Sequence, residues 1–286
     1  MNFSLRILGA ASAMPISEMN PSAQALTVQG RLLLIDCGEG LQQRMRQMHL
    51  SFLKVQAVFI SHIHGDHVFG LFGLLSTMAM YGRTEVLHIF GPEALGSIIK
   101  FYLSWFGDGM NYQIEFHKVS ARGLEEVFSS RHVRVSAFPL RHKIECYGYR
   151  FDLIQSEREL AKYGGPRSYA YCSDTMPFPE LAGYVRGVKV LYHEATYPMD
   201  FAGKAAAAVL TTQGVSYDFL KVQGSNWVII TGVNCRMRNY QSSKPITIAN
   251  TKAQVSFINC SNKDGNLFTF KRSGDNPNDY GTYTVE

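Results

Sequence analysis

The stretch Ser61-His62-Ile63-His64-Gly65-Asp66-His67 follows the apolar run Val55-Gln56-Ala57-Val58-Phe59-Ile60 and decides how this chain is read. Its three imidazoles and one carboxylate fall within six residues, and no single helical face brings such a set to one point. A loop after a buried strand can, because His62 and His64 point the same way from extended backbone, while Asp66 and His67 come from the turn after Gly65. Imidazole and carboxylate bind Zn²⁺ at about 2.0–2.2 Å. Residues 61–67, called here the metal turn, therefore predict two adjacent metal positions.

The metal turn and its flanks resemble the metallo-β-lactamase superfamily and, within it, ribonuclease Z, the endonuclease that trims tRNA 3′ ends. The other matching segments are Ile7-Leu8-Gly9 with Ser12 and Pro15, Leu34-Ile35-Asp36-Cys37-Gly38-Glu39-Gly40, Phe69-Gly70-Leu71, Pro139-Leu140-Arg141-His142, Tyr171-Cys172-Ser173-Asp174-Thr175 and His193-Glu194-Ala195-Thr196. The match is dense to about residue 200 and faint beyond it. The resemblance implies an α/β fold, a four-layer αββα sandwich. We expect one such domain over residues 1–271, diverged over 200–271, and a polar, mobile tail over 272–286.

The resemblance also implies two zinc ions and assigns six side chains to them: His62, His64, Asp66, His67, His142 and Asp174. The first ion would be held by His62, His64 and His142. The second would use Asp66 and His67, and Asp174 would bridge the two. A metal pair of this kind makes hydroxide available near neutral pH and clamps the oxygens of a phosphodiester. Asp66 and Glu194 would be catalytic, Asp66 as the base and Glu194 by orienting a histidine that protonates the leaving oxygen.

The sequence departs from that family after residue 193, because no histidine follows His193. Leu210 and Gly232 stand where the family has its proton donor and its last zinc ligand. The first zinc site is complete, and the second lacks one imidazole unless the thiolate of Cys235 replaces it. Loss of a general acid costs about 10²–10⁴ in rate. We therefore expect weak or absent cleavage of tRNA.

Features that grip a tRNA substrate are also reduced. Many bacterial ribonucleases Z carry a long arm in the interval that corresponds to residues 152–166, which here has room only for one or two helical turns. Ser17 and Met19 stand where many members have basic residues that sense the CCA end. The resemblance implies a tRNA precursor as partner, weakly gripped, and a homodimer. The apolar helix after the metal turn could serve an interface, and the protein core is its default place.

Composition weakly supports a phosphate-bearing partner and argues against a secreted or membrane-spanning protein. The net charge of +5 and a pI near 8.9 are compatible with a phosphate-bearing partner. The N-terminus reads as a strand rather than a secretion signal, and no apolar run reaches the roughly 20 residues of a membrane span. The five cysteines have no paired spacing, which indicates reduced thiols and a cytoplasmic location.

Periodicity predicts the strands and helices around the motifs. The predicted strands are 3–8, 25–28, 32–36, 55–60, 85–90, 112–117, 133–138, 169–172 and 188–192, and the predicted helices are 40–48, 66–81 and 93–106. Gly70 and Gly73 indicate close helix packing. His88 is expected to be a plain surface residue, and His49, His117 and His132 are assigned no role.

Three functions fit the sequence. The leading hypothesis is a zinc-dependent tRNA 3′-endonuclease, impaired by the missing histidines. The second is a phosphodiesterase of small esters, because the short arm removes the grip on a large substrate while the metal turn remains. The third is a non-catalytic protein that keeps the fold and one zinc ion.

Overall fold

The computed structural model describes residues 3–13, 20–163, 165–176 and 178–194, without the Tyr163 side chain, and beyond residue 194 only the backbone of several strands. The chain divides into two compact units. The first comprises Met1–Arg122 with Ile144–Tyr147, and the second Gly123–Lys143 with Gly148–Glu286. The end of the expected domain at residue 271 stays a prediction. No helix among the described residues is long and apolar enough to cross a membrane.

The first unit contains strands that pair in sequence order, namely β1 (Phe3–Gly9), β2 (Ala23–Val28), β3 (Arg31–Cys37), β4 (Val55–Phe59), β5 (Leu87–Gly91) and β6 (Ile114–Lys118). The pairs from β1 to β3 are antiparallel and those from β3 to β6 are parallel. Strands β2 to β5 are almost wholly buried, as their near-continuous Leu, Ile, Val and Ala content predicts.

Helices α1 (Leu41–Gln47), α2 (Gly65–Met80) and α3 (Glu93–Phe106) complete the first unit, with a short 3-10 turn at Phe52–Lys54. Half of the residues of α2 are buried, including Val68, Leu71 and Leu74, which agrees with its default assignment to the core. Tyr112 donates a hydrogen bond to the Leu75 carbonyl at 2.9 Å, and Tyr102 to that of Phe72 at 3.1 Å, so α2 is tied to its neighbours. These contacts fix the helix whose first turn carries Asp66 and His67.

The second unit contains a sheet in the order β11-β10-β9-β8-β7. Its elements are β7 (Glu125–Ser129), β8 (Val133–Pro139), β9 (Tyr147–Leu153), α4 (Glu157–Tyr163), β10 (Ser168–Cys172), α5 (Leu181–Tyr184) and β11 (Val190–His193). The large fully buried side chains of this unit include Phe138, Tyr149, Phe151, Tyr169 and Tyr171. This aromatic core fixes the ends of β8 and β10, after which His142 and Asp174 follow.

Past residue 194 the described backbone forms β12 (Lys221–Gln223), β13 (Val228–Val233), β14 (Arg236–Met237), β15 (Ile246–Ala249), β16 (Ala253–Ile258), β17 (Ser261–Asn262), β18 (Phe270–Arg272) and β19 (Thr282–Val285). Strands β13, β16 and β19 pair in parallel, as do β12, β15 and β18. The strand at 228–233 lies where the sequence predicted the fold to continue.

Candidate metal centre

The metal turn has the backbone that its sequence predicts. Strand β4 ends at Phe59, and His64 is extended, with φ −66° and ψ 146°. Helix α2 begins at Gly65, so Asp66 and His67 lie in its first turn. The side chain of His62 is fully buried, and that of His67 is 1% exposed. His62 Nε2 and His64 Nδ1 lie 3.0 Å apart, and His67 Nε2 lies 3.6 Å from Asp66 Oδ2. The turn therefore gathers imidazole and carboxylate donors at the carboxyl end of a buried strand.

Asp36, near the end of β3, holds the metal turn in place through hydrogen bonds. It is fully buried and its φ is +55°, a left-handed conformation that few residues other than glycine adopt. Its Oδ1 accepts a hydrogen bond from the Ser61 backbone N–H at 2.7 Å, and its Oδ2 accepts one from the Ser61 hydroxyl at 2.9 Å. His67 Nδ1 also lies 2.7 Å from Oδ2. Because Nδ1 of His67 donates to a carboxylate, Nε2 is the nitrogen left to bind a metal ion.

Ser61 in turn fixes the orientation of the His62 ring. Its Oγ lies 3.0 Å from His62 Nδ1. Since the single hydroxyl proton is donated to Asp36, Oγ accepts the Nδ1 proton of His62. The lone pair of His62 is then on Nε2, which is the atom that faces His64. One buried carboxylate thus sets the ring orientation and the tautomer of two histidines.

Two glycines allow the close approach that this network needs. A Cβ at Gly70 would lie 2.1 Å from the Gly38 carbonyl oxygen, and a Cβ at Gly38 would lie 2.6 Å from the Asp66 carbonyl oxygen. Helix α2 therefore lies directly against the chain that leaves β3. A Cβ at Gly73 would lie 2.6 Å from Gln42 Oε1. The packing predicted from Gly70 and Gly73 is confirmed.

The second unit carries the other predicted side chains near the ends of its strands. His142 follows β8 and Asp174 follows β10, and His142 Nε2 lies 3.8 Å from Asp174 Oδ2. Two hydrogen bonds join the segments, from the Arg141 N–H to Thr175 Oγ1 at 3.0 Å and from the Met176 N–H to the Arg141 carbonyl at 2.8 Å. The side chains of His142 and Asp174 are 10% and 20% exposed. The two residues are therefore held side by side by hydrogen bonds between the residues that flank them.

Glu194 is fixed to the same strand end. Its N–H donates to the Cys172 carbonyl at 3.0 Å, directly after the parallel pairing of β10 with β11. His193 Nδ1 donates to the Glu194 carbonyl oxygen at 2.7 Å. The backbone hydrogen bond places Glu194 on the strand end that also carries Asp174.

The residues present fit a divalent metal ion. Ligand atoms around a tetrahedral ion with bonds of about 2.0–2.1 Å lie about 3.3 Å apart. The nitrogens of His62 and His64 are 3.0 Å apart in the first unit, and the nitrogen and oxygen of His142 and Asp174 are 3.8 Å apart in the second. Imidazole with carboxylate is a donor set that divalent transition metals bind.

Asp36 and Ser61 lie in the motif segments of the sequence, but the sequence alone gave them no role. The signal for Asp36 was its place directly after the apolar residues 32–35, where a buried charge needs donors around it. Ser17, Met19, Leu210 and Cys235, on which other expectations rest, lie outside the described residues, and of Gly232 only the backbone within β13 is described. Their roles stay predictions.

Comparison with known proteins identifies the family. The family model described as "Anti-Pycsar protein Apyc1" matches residues 3–204. A ribonuclease Z of Porphyromonas gingivalis is 31% identical over 299 residues, which cover 88% of this chain and 98% of that protein. A ribonuclease Z of Bacteroides thetaiotaomicron is 35% identical over 233 residues, covering 68% of this chain and 74% of the relative.

Solved structures share the fold. The short form of human tRNase Z superposes with a TM-score of 0.60 at 24% identity, covering 73% of this chain and 84% of that chain. The metallo-β-lactamase fold protein YhfI from Bacillus subtilis superposes with a TM-score of 0.52 at 12% identity, covering 100% and 97%. The metallo-β-lactamase fold expected from the sequence is thereby confirmed, as is the resemblance to ribonuclease Z. This chain belongs to the family of metallo-β-lactamase-fold proteins that includes ribonuclease Z and is matched by the Apyc1 family model.

Proposed function

We propose that this chain is a metal-dependent phosphodiester hydrolase that removes 3′ trailers from tRNA precursors. The observation that carries the proposal is the buried metal turn, in which Asp36 and Ser61 aim His62 and His67 through hydrogen bonds of 2.7–3.0 Å. Such supports orient metal ligands and raise their basicity. The relatives of similar length are named ribonuclease Z, and the match covers 98% of one of them.

The proposed metal ligands are those that the family resemblance implies. His62, His64, His142 and Asp174 would hold one ion, and Asp66 and His67 would share a second with Asp174. We propose zinc, which takes imidazole and carboxylate in four-coordinate sites. When bound, the ions supply a nucleophile at neutral pH and neutralise charge on the phosphate.

The residues of the chain perform the proton transfers. By the family resemblance, Asp66 would accept a proton from the attacking water molecule, and its side chain is 13% exposed, so solvent reaches it. Glu194 would orient the group that protonates the leaving oxygen. Because no histidine follows His193, we expect this donor to be missing and turnover to be reduced by about 10²–10⁴.

A second candidate is hydrolysis of small phosphodiesters. In the described part of the interval expected to carry an RNA-gripping arm, the one helix is α4, which has seven residues, Glu157–Tyr163. Its acidic first turn, with Glu157 and Glu159, does not favour a polyanion. A weak grip on tRNA would leave small esters as substrates of the same site.

We further propose a homodimer in the cytoplasm. Helix α3 exposes four large apolar side chains, Ile98, Phe101, Trp105 and Phe106. Several large apolar side chains exposed on one helix are typical of an interaction surface. The buried free thiols Cys37, Cys146 and Cys172 suit a reducing compartment. Light scattering of wild type and of Trp105→Glu should distinguish a dimer from a monomer, and a monomeric wild type contradicts the proposal.

The test of function uses one zinc-loaded preparation with two substrates, a tRNA precursor with a 3′ trailer and bis(p-nitrophenyl) phosphate. We expect Asp66→Asn to abolish hydrolysis, whereas Asp108→Asn, the same change at an exposed residue, leaves it unchanged. Cleavage of the small ester alone favours the second candidate. A protein that hydrolyses neither substrate overturns both candidates and supports a non-catalytic zinc-binding role.

A further inference from the structure

A second group of metal-type side chains lies in the first unit, on the edge strand β6 and its neighbour β5. The parallel register pairs His88 with Glu115 and Phe90 with His117. Residues two apart on a strand share a face, so both histidines and the carboxylate project to one side of the sheet. Phe116, between Glu115 and His117, faces the other side, where its ring lies 2.6 Å from a Cβ built at Gly96 of α3. The cluster is therefore on the face opposite α3.

The three side chains converge on one point. His88 Nδ1 lies 3.1 Å from His117 Nε2 and 3.2 Å from Glu115 Oε2, and the distance from His117 Nε2 to Glu115 Oε2 is 3.9 Å. A tetrahedral ion with bonds of about 2.0–2.1 Å separates its ligands by about 3.3 Å. The three measured distances lie on both sides of that value, so one ion can contact all three atoms after small movements.

We propose that His88, Glu115 and His117 form a binding site for a divalent transition-metal ion, distinct from the metal turn. Two imidazoles and one carboxylate are the protein ligands of known three-ligand zinc sites, in which water takes the fourth position. The two nitrogen donors favour Zn²⁺, Cu²⁺ or Ni²⁺ over Mg²⁺ and Ca²⁺, which prefer oxygen ligands.

The surroundings allow an ion to enter and keep the ligands in place. The side chains of His88, Glu115 and His117 are 31%, 40% and 41% exposed, so solvent reaches the site. The His117 ring stacks on Phe90, with centroids 4.5 Å apart and planes 12° from parallel. Phe90 is itself buried and stacks on Phe59 at 4.9 Å. The bound ion would join the edge strand β6 to β5.

The test counts ions on the full chain. Metal-free protein is titrated with Zn²⁺ in competition with a chromogenic chelator, as wild type, as the double variant Glu115→Gln/His117→Gln, and as the control His132→Gln, which changes a histidine outside the cluster. We expect the double variant to bind one ion fewer per chain than wild type and than the control. Equal stoichiometry in all three proteins would overturn the proposal.

Three further measurements check the result. The variant Glu115→Gln alone keeps the shape of the side chain and should weaken the extra ion at least tenfold. In the same proteins, Co²⁺ should give a visible tetrahedral absorption spectrum that loses intensity only when the cluster is changed. Hydrolysis of bis(p-nitrophenyl) phosphate should not differ between wild type and the double variant. A fall in hydrolysis with unchanged stoichiometry would assign the cluster to the catalytic site and refute a separate one.

Discussion

The two histidine clusters of the first unit use the same residue types in opposite ways. In the metal turn, His62 and His67 are at most 1% exposed, and their Nδ1 atoms are held by Ser61 and Asp36. In the cluster of His88, Glu115 and His117, called here the edge cluster, the two histidines are 31% and 41% exposed, and their contacts include each other, Glu115 and, for His117, the ring of Phe90. A buried, supported ligand loses little freedom when an ion binds, whereas an exposed one must be ordered by it. The metal turn should therefore bind more tightly.

Among the changes that test this comparison, the largest effect is expected from removing the support of the metal turn. Asp36→Asn should lower metal affinity and hydrolysis of bis(p-nitrophenyl) phosphate by about 10–100-fold, because an amide cannot accept from both Ser61 and His67 as the carboxylate does. The matched change at the edge, Glu115→Gln, should leave hydrolysis unaltered. Steady-state kinetics on both proteins make the comparison. Equal losses of hydrolysis in the two variants would show that hydrogen-bond support and burial do not distinguish the two clusters.

Packing beneath the turn gives the next effect. Gly70→Ala places a methyl group 2.1 Å from the Gly38 carbonyl oxygen, so α2 must move away from β3, at a cost of about 1–3 kcal/mol in unfolding free energy. Gly183→Ala in α5 meets nothing within 4 Å and should be neutral or stabilising by up to about 1 kcal/mol. Urea unfolding measures both. A stable Gly70→Ala protein with full activity would mean that the close approach is dispensable.

Burial of the Cys37 thiol near the metal turn should make the unfolding free energy depend on pH. Burial, and secondarily the Asp36 carboxylate, raise the pKa of the Cys37 thiol well above its usual value. The folded thiol stays protonated where the unfolded one ionises, so its contribution is complete below the unfolded pKa and is lost as the pH rises. Above about pH 9, this one thiol should contribute a fall of about 1 kcal/mol in unfolding free energy per pH unit. Cys37→Ala should make that slope shallower, and an unchanged slope would contradict this account.

The smallest expected effect is on the unfolding free energy of the metal-free protein when a histidine of the edge cluster is changed. His117→Gln should change the unfolding free energy of chelator-treated protein by no more than about 0.5 kcal/mol, because the side chain is 41% exposed. Thermal unfolding with and without Zn²⁺ provides the measurement. A large loss in the metal-free protein would mean that the cluster already holds β6 in place by hydrogen bonds.

Features that depend on one short segment, such as the metal turn, were predicted well from the sequence. Contacts between segments distant in the chain were not. Helix α3 occurs at the predicted residues Glu93–Phe106, because Pro92 marks its start and the apolar spacing is regular. Strand β7, Glu125–Ser129, was missed because it is mostly exposed and begins with two glutamates. The role of Asp36 and the meeting of His88 with His117 depend on strand register. No spacing within one segment reveals a pairing between two.

The expected exposure of His88 was borne out only in part. Its side chain is 31% exposed, yet it contacts Glu115 and His117.

The position of Asp36 has a practical consequence for engineering. Its carboxylate lies twenty-five residues before Ser61 in the chain and yet sets the rings of two histidines. A designer who transplanted residues 61–67 into another scaffold would move the ligands without the residue that aims them. The smallest portable piece is discontinuous: the end of β3 with its left-handed aspartate, the glycine contact at residues 38 and 70, and the turn itself.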